Sequence, residues 1–194
     1  FHLLIAEQAE GRYKFIYRER LAVRLGQHGI NQGIIQPDAI DRAVRALSSF
    51  KTTIDQHDVI KVFAFGTSAL RNAKNVEEVV RSFKDKAGID VTIISGDREA
   101  ELIFYGVRSG LVLGRDYSLV MDIGGGSVEF IIGNDTEIVW KQSFEIGAQR
   151  LLEMFHRTDP IEESEIDELN QYFSRQLPPL IEALHQWLPN TLIG

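Results

Sequence analysis

The stretch MDIGGGSVEF, residues 121–130, places three consecutive glycines between two short apolar runs and sets an acidic residue on each side of them. The apolar runs predict two strands, Ser118–Ile123 and Val128–Ile132, joined by the glycine-rich turn. Glycine permits positive φ and lets a ligand approach the backbone closely, so such a turn can direct several N–H donors at one point and bind phosphate oxygens. A plain glycine-rich hairpin is the alternative, and the flanking acids favour the phosphate site.

The side chains around this turn extend the predicted site. Asp122 ends its strand at the edge of the turn, where a carboxylate can hold Mg²⁺ directly or through water. Glu129 lies two residues beyond Ser127 on the next strand and therefore shares the face of that residue. The predicted phosphate-binding residues are Gly124, Gly125, Gly126 and Ser127, the last of which adds a hydroxyl donor.

Two further motifs carry candidate functional residues. In ISGDREAELIFYGV, residues 94–107, a strand ends, the chain turns, and Glu99 enters the first turn of the next predicted helix. An acid at this position can also simply complement the helix dipole. In FGTSALRNA, residues 65–73, a strand and a tight turn precede Arg71. Its guanidinium group suits phosphate oxygens, and a solvated loop arginine is the alternative.

The order of the predicted elements repeats along the chain. Three antiparallel strands lead into helix–strand units at the start of the chain and again after residue 116. This duplication predicts an α/β fold of two lobes with a cleft between them. The first lobe is expected to span residues 1–112 and the second 113–194, with Gly110–Arg115 as the hinge.

Individual elements follow from local patterns. In the first lobe the predicted strands are Phe1–Ala6, Tyr13–Tyr17 after a turn at Glu10-Gly11, Leu21–Leu25, Val91–Ile94, and Val59–Phe65 as a central strand buried on both faces. Helices are predicted to begin near Pro37, at Asn75 with a capping box, near Asp97 and near Gly147, and to cover Ile161–Leu188 with a break at Pro178-Pro179.

Composition excludes several classes of function. The 194-residue chain has a formal net charge of −7 and no basic tract, which argues against a protein that coats nucleic acid. It contains no cysteine and no apolar run of about 18 residues that could span a membrane, and no signal peptide is visible in it. Its five histidines lack metal-ligand spacing. We therefore expect a cytoplasmic protein with no nucleic-acid or membrane partner.

The motifs FGTSALRNA, ISGDREAELIFYGV and LVMDIGGGSVEFIIG, in this order and spacing, resemble those of the exopolyphosphatase / guanosine pentaphosphate phosphohydrolase (Ppx/GppA) family. The resemblance covers nearly the whole chain and includes FEIGAQRL. The glycine motif alone is typical of the wider actin/hexokinase/heat-shock ATPase superfold, which is two-lobed and ribonuclease H-like. The helix that carries Glu99 is the more specific feature, because kinases and chaperones of that superfold lack it.

This resemblance implies an activity and a role for each candidate residue. Members of the family release terminal phosphate from inorganic polyphosphate, or from pppGpp in the stringent response, and they use Mg²⁺. The implied roles are Glu99 as the catalytic base, Asp122 and Glu129 as the Mg²⁺-linked acids, Arg71 as a phosphate contact, and Gly124–Ser127 as the phosphate loop. Two positions depart from the pattern: Arg98 replaces a common glutamate and is expected to act on Glu99, and Val128 replaces a common threonine.

Parts of the family pattern are expected outside this sequence. An Asp-x-Gly-(Thr/Ser)-Asn loop is expected before FHLL and a Ser-Gly loop after TLIG. We therefore interpret the chain as a fragment that lacks the first strand and the C-terminal part of the fold, and with them two walls of the cleft.

Two other functions stay open at the level of sequence. A kinase or ATPase of the same superfold would release ADP, and the helix of Glu99 argues against it. A non-catalytic regulator would bind polyphosphate or (p)ppGpp by closing its lobes, and the acidic residues favour an enzyme instead. The choice between polyphosphate and pppGpp also stays open, as does a homodimer.

Overall fold

The computed structural model describes residues 1–9 and 12–194, so the predicted turn at Glu10-Gly11 lies outside the described residues. In chain order the elements are β1 His2–Ala9, β2 Arg12–Arg20, α1 Pro37–Gln56, β3 Ala64–Gly66, α2 Ser68–Arg71, α3 Val76–Ala87, β4 Val91–Ile93, α4 Gly96–Gly110, β5 Ser118–Ile123, β6 Val128–Gly133, β7 Ile138–Phe144, α5 Ala148–Phe155, α6 Glu163–Gln176, α7 Pro178–Trp187 and β8 Thr191–Ile193. The predicted α/β class is confirmed.

The first half of the chain forms a hydrophobic core around α1 and α3. Pro37 stands in the first turn of α1, where its missing N–H costs nothing. Ala39, Ala43 and Phe50 recur on one stripe of this helix and are buried against Val79 and other residues of α3. Strands β1 and β2 pair antiparallel, and β3 and β4 pair parallel, as two separate two-stranded sheets.

The second half is built on a four-stranded sheet in the order β7-β6-β5-β8. Strand β6 is buried along its whole length because helices cover both of its faces. Ile131 packs with Phe104 of α4 on one face. Phe130 packs with Leu180 of α7 on the other. Since side chains alternate along a strand, Glu129 lies on the α4 face, and the glycine turn between β5 and β6 lies at the end of the sheet.

A polar network secures the start of α6. Glu165 is 2% exposed. Its carboxylate accepts hydrogen bonds from the Thr158 hydroxyl at 2.5 Å and from the backbone N–H groups of Arg157 at 2.8 Å and Glu162 at 3.0 Å. These donors, the Thr158 hydroxyl first among them, lower the pKa of Glu165 to about 2. The contacts fix the segment before α6 onto the helix.

The predicted third strand, Leu21–Leu25, is wrong. The Phe1 ammonium group donates to the carbonyl of Leu21, and the Arg42 side chain donates to the carbonyl of Val23 at 3.0 Å. Arg24 then takes a left-handed φ of 50°, which ends the extended backbone. Leu21 therefore bonds to Phe1 and Val23 to a side chain of α1, and no strand forms over Leu21–Leu25.

The predicted central strand Val59–Phe65 is wrong in its length and in its burial. Only Ala64–Gly66 forms a strand, which pairs with β4 along one edge. Within the described chain no strand lies along its other edge. Ile60 is fully exposed and Phe63 is 68% exposed. An apolar, β-branched run is buried only where neighbouring strands and helices cover it.

Of two predicted helix boundaries, one is confirmed in full and the other lacks its predicted side-chain cap. The break predicted at Pro178-Pro179 is confirmed, because α6 ends at Gln176 and α7 begins with Pro178. Asn75 is the residue before α3, as predicted, yet its side chain forms no cap. It instead accepts from the backbone N–H of Ile35 and donates to the carbonyl of Ile35, each at 3.0 Å.

In the part of the chain that the structure describes, no helix is both long and apolar enough to cross a membrane.

Candidate functional site

The glycine turn is held against the start of α5 through its carbonyl groups. The carbonyl of Gly124 accepts from Ala148 N at 2.9 Å, and that of Gly125 accepts from Gln149 N at 2.9 Å and Arg150 N at 3.1 Å. These bonds satisfy N–H groups that a helix start leaves unpaired. Among the described residues no acceptor is found for the N–H groups of Gly125 or of the next residue, Gly126. The loop therefore keeps donors available for an anion.

Close packing, rather than positive φ, explains Gly126 of this turn and Gly147 beside it. The φ angles of Gly124, Gly125 and Gly126 all lie outside the left-handed region. A Cβ on Gly126 would come within 2.5 Å of Ser68 Oγ, and a Cβ on Gly147 within 2.4 Å of the backbone carbon of Gly126. A Cβ on Gly125 would meet nothing closer than 3.7 Å. Among the three glycines of the turn, Gly125 is thus the one at which a side chain would have free space.

The two predicted metal-linked acids lie side by side on adjacent strands. Asp122 of β5 and Glu129 of β6 are register partners in the antiparallel ladder. Glu129 is 1% exposed and accepts a hydrogen bond from the Ser143 hydroxyl at 2.6 Å. Burial raises the pKa of Glu129, and the negative charges of Glu99 and Asp122 add to that rise. Glu99 and Asp122 therefore both lie close enough to Glu129 for their charges to act on it.

Ser127 ends the glycine turn and is 2% exposed. Its hydroxyl acts against the effect of burial by lowering the pKa of Glu129. Its role as a phosphate donor stays a prediction.

Arg71 and Glu99 form an ion pair. Arg71 Nη1 donates to Glu99 Oε2 at 3.0 Å and to the carbonyl of Ile94 at 3.1 Å. Both side chains are largely buried, at 18% and 15% exposed. Arg98, which was expected to act on Glu99, instead pairs with Glu101 at 3.0 Å. The cation beside Glu99 thus comes from α2 and not from its own helix.

One cavity collects most of the predicted residues. It has a volume of about 680 Å³, and its lining includes Glu99, the turn Gly124–Ser127 and residues Thr67 and Ser68 of the FGTSALRNA motif. Arg71 reaches it through its ion pair with Glu99. Asp122 and Glu129 lie beyond its lining, and the charge of Glu99, which lines it, acts on Glu129. Three motifs that are distant in sequence therefore meet at one place.

Asp122 and Glu129 offer the carboxylate ligands that Mg²⁺ prefers. Within residues 1–9 and 12–194, no group of three or more histidine, cysteine or acidic residues is arranged to hold a metal ion. Mg²⁺ is usually bound by one or two carboxylates together with water and substrate phosphates rather than by a complete protein cage. The adjacent pair Asp122 and Glu129 fits that pattern, and a cation would offset the cost of ionising Glu129 in a buried position.

Two functional candidates were missed by sequence reasoning. Glu145, directly after β7, accepts from Ser68 Oγ at 3.1 Å and pairs with Arg150. Arg150 Nε donates to the carbonyl of Gly126 at 3.0 Å. Both lie in FEIGAQRL, but a glutamate after a strand and an arginine in the first turn of a helix are too common to mark a site.

The fold and the site define an α/β protein in which a glycine-rich loop and a glutamate–arginine pair meet at one cavity. A sequence profile of the Ppx/GppA phosphatase family matches residues 4–194, and the chain belongs to this family. The family inferred from the three motifs is confirmed.

Similar proteins agree with this assignment. A crystal structure of an exopolyphosphatase from Cytophaga hutchinsonii matches the whole chain at 47% identity with a TM-score of 0.96, over 62% of its own chain. A guanosine-5'-triphosphate,3'-diphosphate pyrophosphatase of Photobacterium profundum is 30% identical over 100% of this chain and 39% of its own length. Exopolyphosphatase 2 of Mycobacterium tuberculosis is 31% identical over 99% of this chain and 63% of its own length. The chain thus spans between 39% and 63% of the length of these proteins.

Proposed function

We propose that the protein is a Mg²⁺-dependent hydrolase that releases terminal orthophosphate from inorganic polyphosphate or from pppGpp. The observation that carries this proposal is that Glu99 and the glycine turn line the same cavity. The names of the relatives support both substrate classes, since one acts on a guanosine polyphosphate and others are exopolyphosphatases. The division into lobes 1–112 and 113–194, with the site between them, belongs to the same proposal.

Glu99 is proposed as the general base. Arg71 occupies Oε2 of Glu99, and no hydrogen bond engages Oε1 within the described part of the chain. Oε1 can therefore take a proton from a water molecule. The water oxygen forms a bond to the terminal phosphorus as the phosphoanhydride bond breaks in line, and the shortened chain leaves with the bridging oxygen. A base of this kind accelerates a reaction by about 10²–10⁴-fold.

The glycine turn and Arg71 are proposed to hold the phosphate chain. The N–H groups of Gly125 and Gly126 supply donors where charge develops on the transferred group. Gly124 and Ser127 shape the loop, the first by donating to the carbonyl of the second at 3.0 Å. Positioning and charge stabilisation dominate phosphoryl transfer, so these groups account for most of the expected catalysis.

Asp122 and Glu129 are the residues that would hold Mg²⁺. When bound there, the ion would offset the negative charge of the phosphoryl oxygens. The pairing of the two acids across adjacent strands supports this assignment.

The test is phosphate release by the full-length protein, measured side by side on long-chain polyphosphate, pppGpp and ATP, with Mg²⁺ and with EDTA. We expect Mg²⁺-dependent orthophosphate release from polyphosphate or pppGpp and much slower release from ATP. Transfer of phosphate from ATP with release of ADP would instead support a kinase or ATPase. Binding of polyphosphate or pppGpp without release would support a regulator.

A further inference from the structure

We propose that Glu145 is a positioning residue that fixes the positions of Arg71 and the glycine turn relative to each other. The base Glu99 and the phosphate-binding donors can then act on one substrate atom. The proposal rests on the proposed function for its effect on turnover, while the contacts themselves can be tested without substrate. Glu145 lies beside two guanidinium groups, that of Arg71 from α2 and that of Arg150 from α5.

The first arginine, Arg71, has unused capacity on the side of Glu145. Its Nη1 is occupied by Glu99 and by the carbonyl of Ile94. Its Nη2 is buried and has no hydrogen-bond partner among the described residues. The Oε1 atom of Glu145 is 3.8 Å from this nitrogen. A buried charged donor without an acceptor is costly, so this nearby carboxylate supplies the compensating charge for Arg71.

The second arginine, Arg150, ties Glu145 to the glycine turn. Arg150 Nη2 pairs with Glu145 Oε2, while Nε donates to the carbonyl of Gly126 at 3.0 Å. Its Nη1 contacts Asn31 Oδ1 at 3.3 Å. The side chain of Arg150 is 12% exposed, and each of its three nitrogens contacts an acceptor of the protein. Arg150 therefore links the carboxylate of Glu145 to the backbone of the glycine turn.

A third contact fixes the carboxylate of Glu145 itself. Ser68 Oγ donates to Oε2 at 3.1 Å, and the same hydroxyl lies 2.5 Å from the position that a Cβ on Gly126 would take. Glu145 is thus held by Ser68 of α2, by Arg150 of α5, and by its charge interaction with Arg71. Its side chain is 43% exposed, so it lies on the solvent side of the cluster.

The expected consequence is a loss of alignment when Glu145 is removed. A displacement of about 1 Å between a base and a bound substrate can lower a rate by as much as about 100-fold. For Glu145→Ala we expect kcat to fall about 10-fold or more and KM to change by less than about 3-fold. Glu145→Gln keeps an oxygen that can accept from Ser68 and Arg150, so it should recover part of the lost kcat.

A matched control is available in Glu153. It also bridges the two halves of the chain, because it accepts from His28 N at 2.6 Å and from Gln149 Nε2 at 2.8 Å. It forms no ion pair with an arginine in the described structure. Glu153→Ala should therefore leave kcat within about 3-fold of wild type. A fall in kcat for Glu145→Ala no larger than for Glu153→Ala would overturn the proposal, since any bridging glutamate would then suffice.

A second measurement keeps the proposal separate from the proposed function. Urea unfolding of the full-length wild type, Arg71→Ala, Glu145→Ala and the double variant gives the coupling between the two side chains without substrate. We expect the double variant to lose less stability than the sum of the single losses. Additive losses would overturn the contact even if the enzyme were active. A clear coupling in a protein with no phosphatase activity would support the contact and would count against the proposed function alone.

Discussion

Arg71 and Glu99 show why a neighbour in sequence is a poor guide to a neighbour in a site. Arg98 precedes Glu99 in sequence, but consecutive residues of a helix are rotated by about 100° and do not face each other. Residues three apart do, and Arg98 accordingly pairs with Glu101. Arg71, 28 positions before Glu99, supplies the cation instead. Sequence predicted both members of this pair as site residues and could not predict that they bind each other.

The role of Glu99 gives the first prediction. Glu99→Gln preserves the shape of the side chain and an oxygen for Arg71, but removes the group that accepts a proton. We expect kcat of the full-length enzyme to fall by about 10²-fold or more while substrate binding persists. Steady-state phosphate release and calorimetric binding of tripolyphosphate measure the two effects.

Glu101 supplies the control for Glu99. It points to the other side of α4, where it pairs with Arg98 and with Lys141 of β7. These hydrogen bonds, that of Lys141 first, lower the pKa of Glu101. Glu101→Gln should weaken these surface contacts slightly and leave kcat nearly unchanged. Equal losses of kcat in the two variants would remove Glu99 as the base.

Glu129 gives a second prediction at the residue scale, because its pKa is raised by burial. A carboxyl with a raised pKa in the folded state binds more protons when folded than when unfolded. Its contribution to stability is therefore lost as pH rises from about 4.5 through the folded pKa. Glu129→Gln cannot ionise. Relative to this variant, the wild type should lose stability as pH rises from 5 to 8 without Mg²⁺, as measured by urea unfolding. A constant difference across that range would contradict the burial argument.

At the scale of elements, predictions succeeded where the signal is local. Strand β5 begins and ends where its apolar run does, at Ser118 and Ile123. The break before α7 follows from the missing N–H of Pro178. The errors at Leu21–Leu25 and Val59–Phe65 have another cause. An apolar run becomes a buried strand only when a partner lies beside it, and partners are set by the tertiary fold.

The glycine turn yields a prediction about two glycines with opposite roles. Gly125 has open space on its side, whereas a Cβ on Gly147 would press on the backbone of the turn. Gly125→Val should therefore fold normally and lower kcat/KM by about 10-fold or more, because its side chain would obstruct the anion-binding donors. Gly147→Ala should lower the free energy of unfolding by about 1–3 kcal/mol through overpacking. Thermal unfolding and phosphate release separate the two effects. Wild-type kinetics in a folded Gly125→Val protein would exclude the turn from the site.

At the scale of the whole molecule, sequence predicted which motifs matter but not how they are held together. The net charge of −7 gives no sign that two arginines, Arg71 and Arg150, lie close together beside the site. The contacts that join the halves of the chain, such as Ser68 with Glu145 and Asn31 with Arg150, lie 77 and 119 positions apart. Pairings at such separations leave no local pattern in a single sequence.

The proposed two lobes give a prediction about motion. Arg71 and the glycine turn lie in different proposed lobes, so a phosphate chain that binds both favours the arrangement in which they are close. A ligand shifts a conformational equilibrium only by such a difference in affinity. The chain has no cysteine, so spin labels can be attached at cysteines introduced at chosen sites. Asp85 of α3 and Gln171 of α6 are exposed and lie in different proposed lobes. Asp85 and Thr52 of α1, which is also exposed, lie in the same one.

On addition of tripolyphosphate and Mg²⁺, pulsed electron resonance should show a narrower and shifted distance distribution for the pair Asp85 and Gln171. The distribution for the pair Asp85 and Thr52 should stay unchanged. Identical distributions with and without ligand for both pairs would mean that the molecule behaves as one rigid body, and closure of two lobes would have to be abandoned.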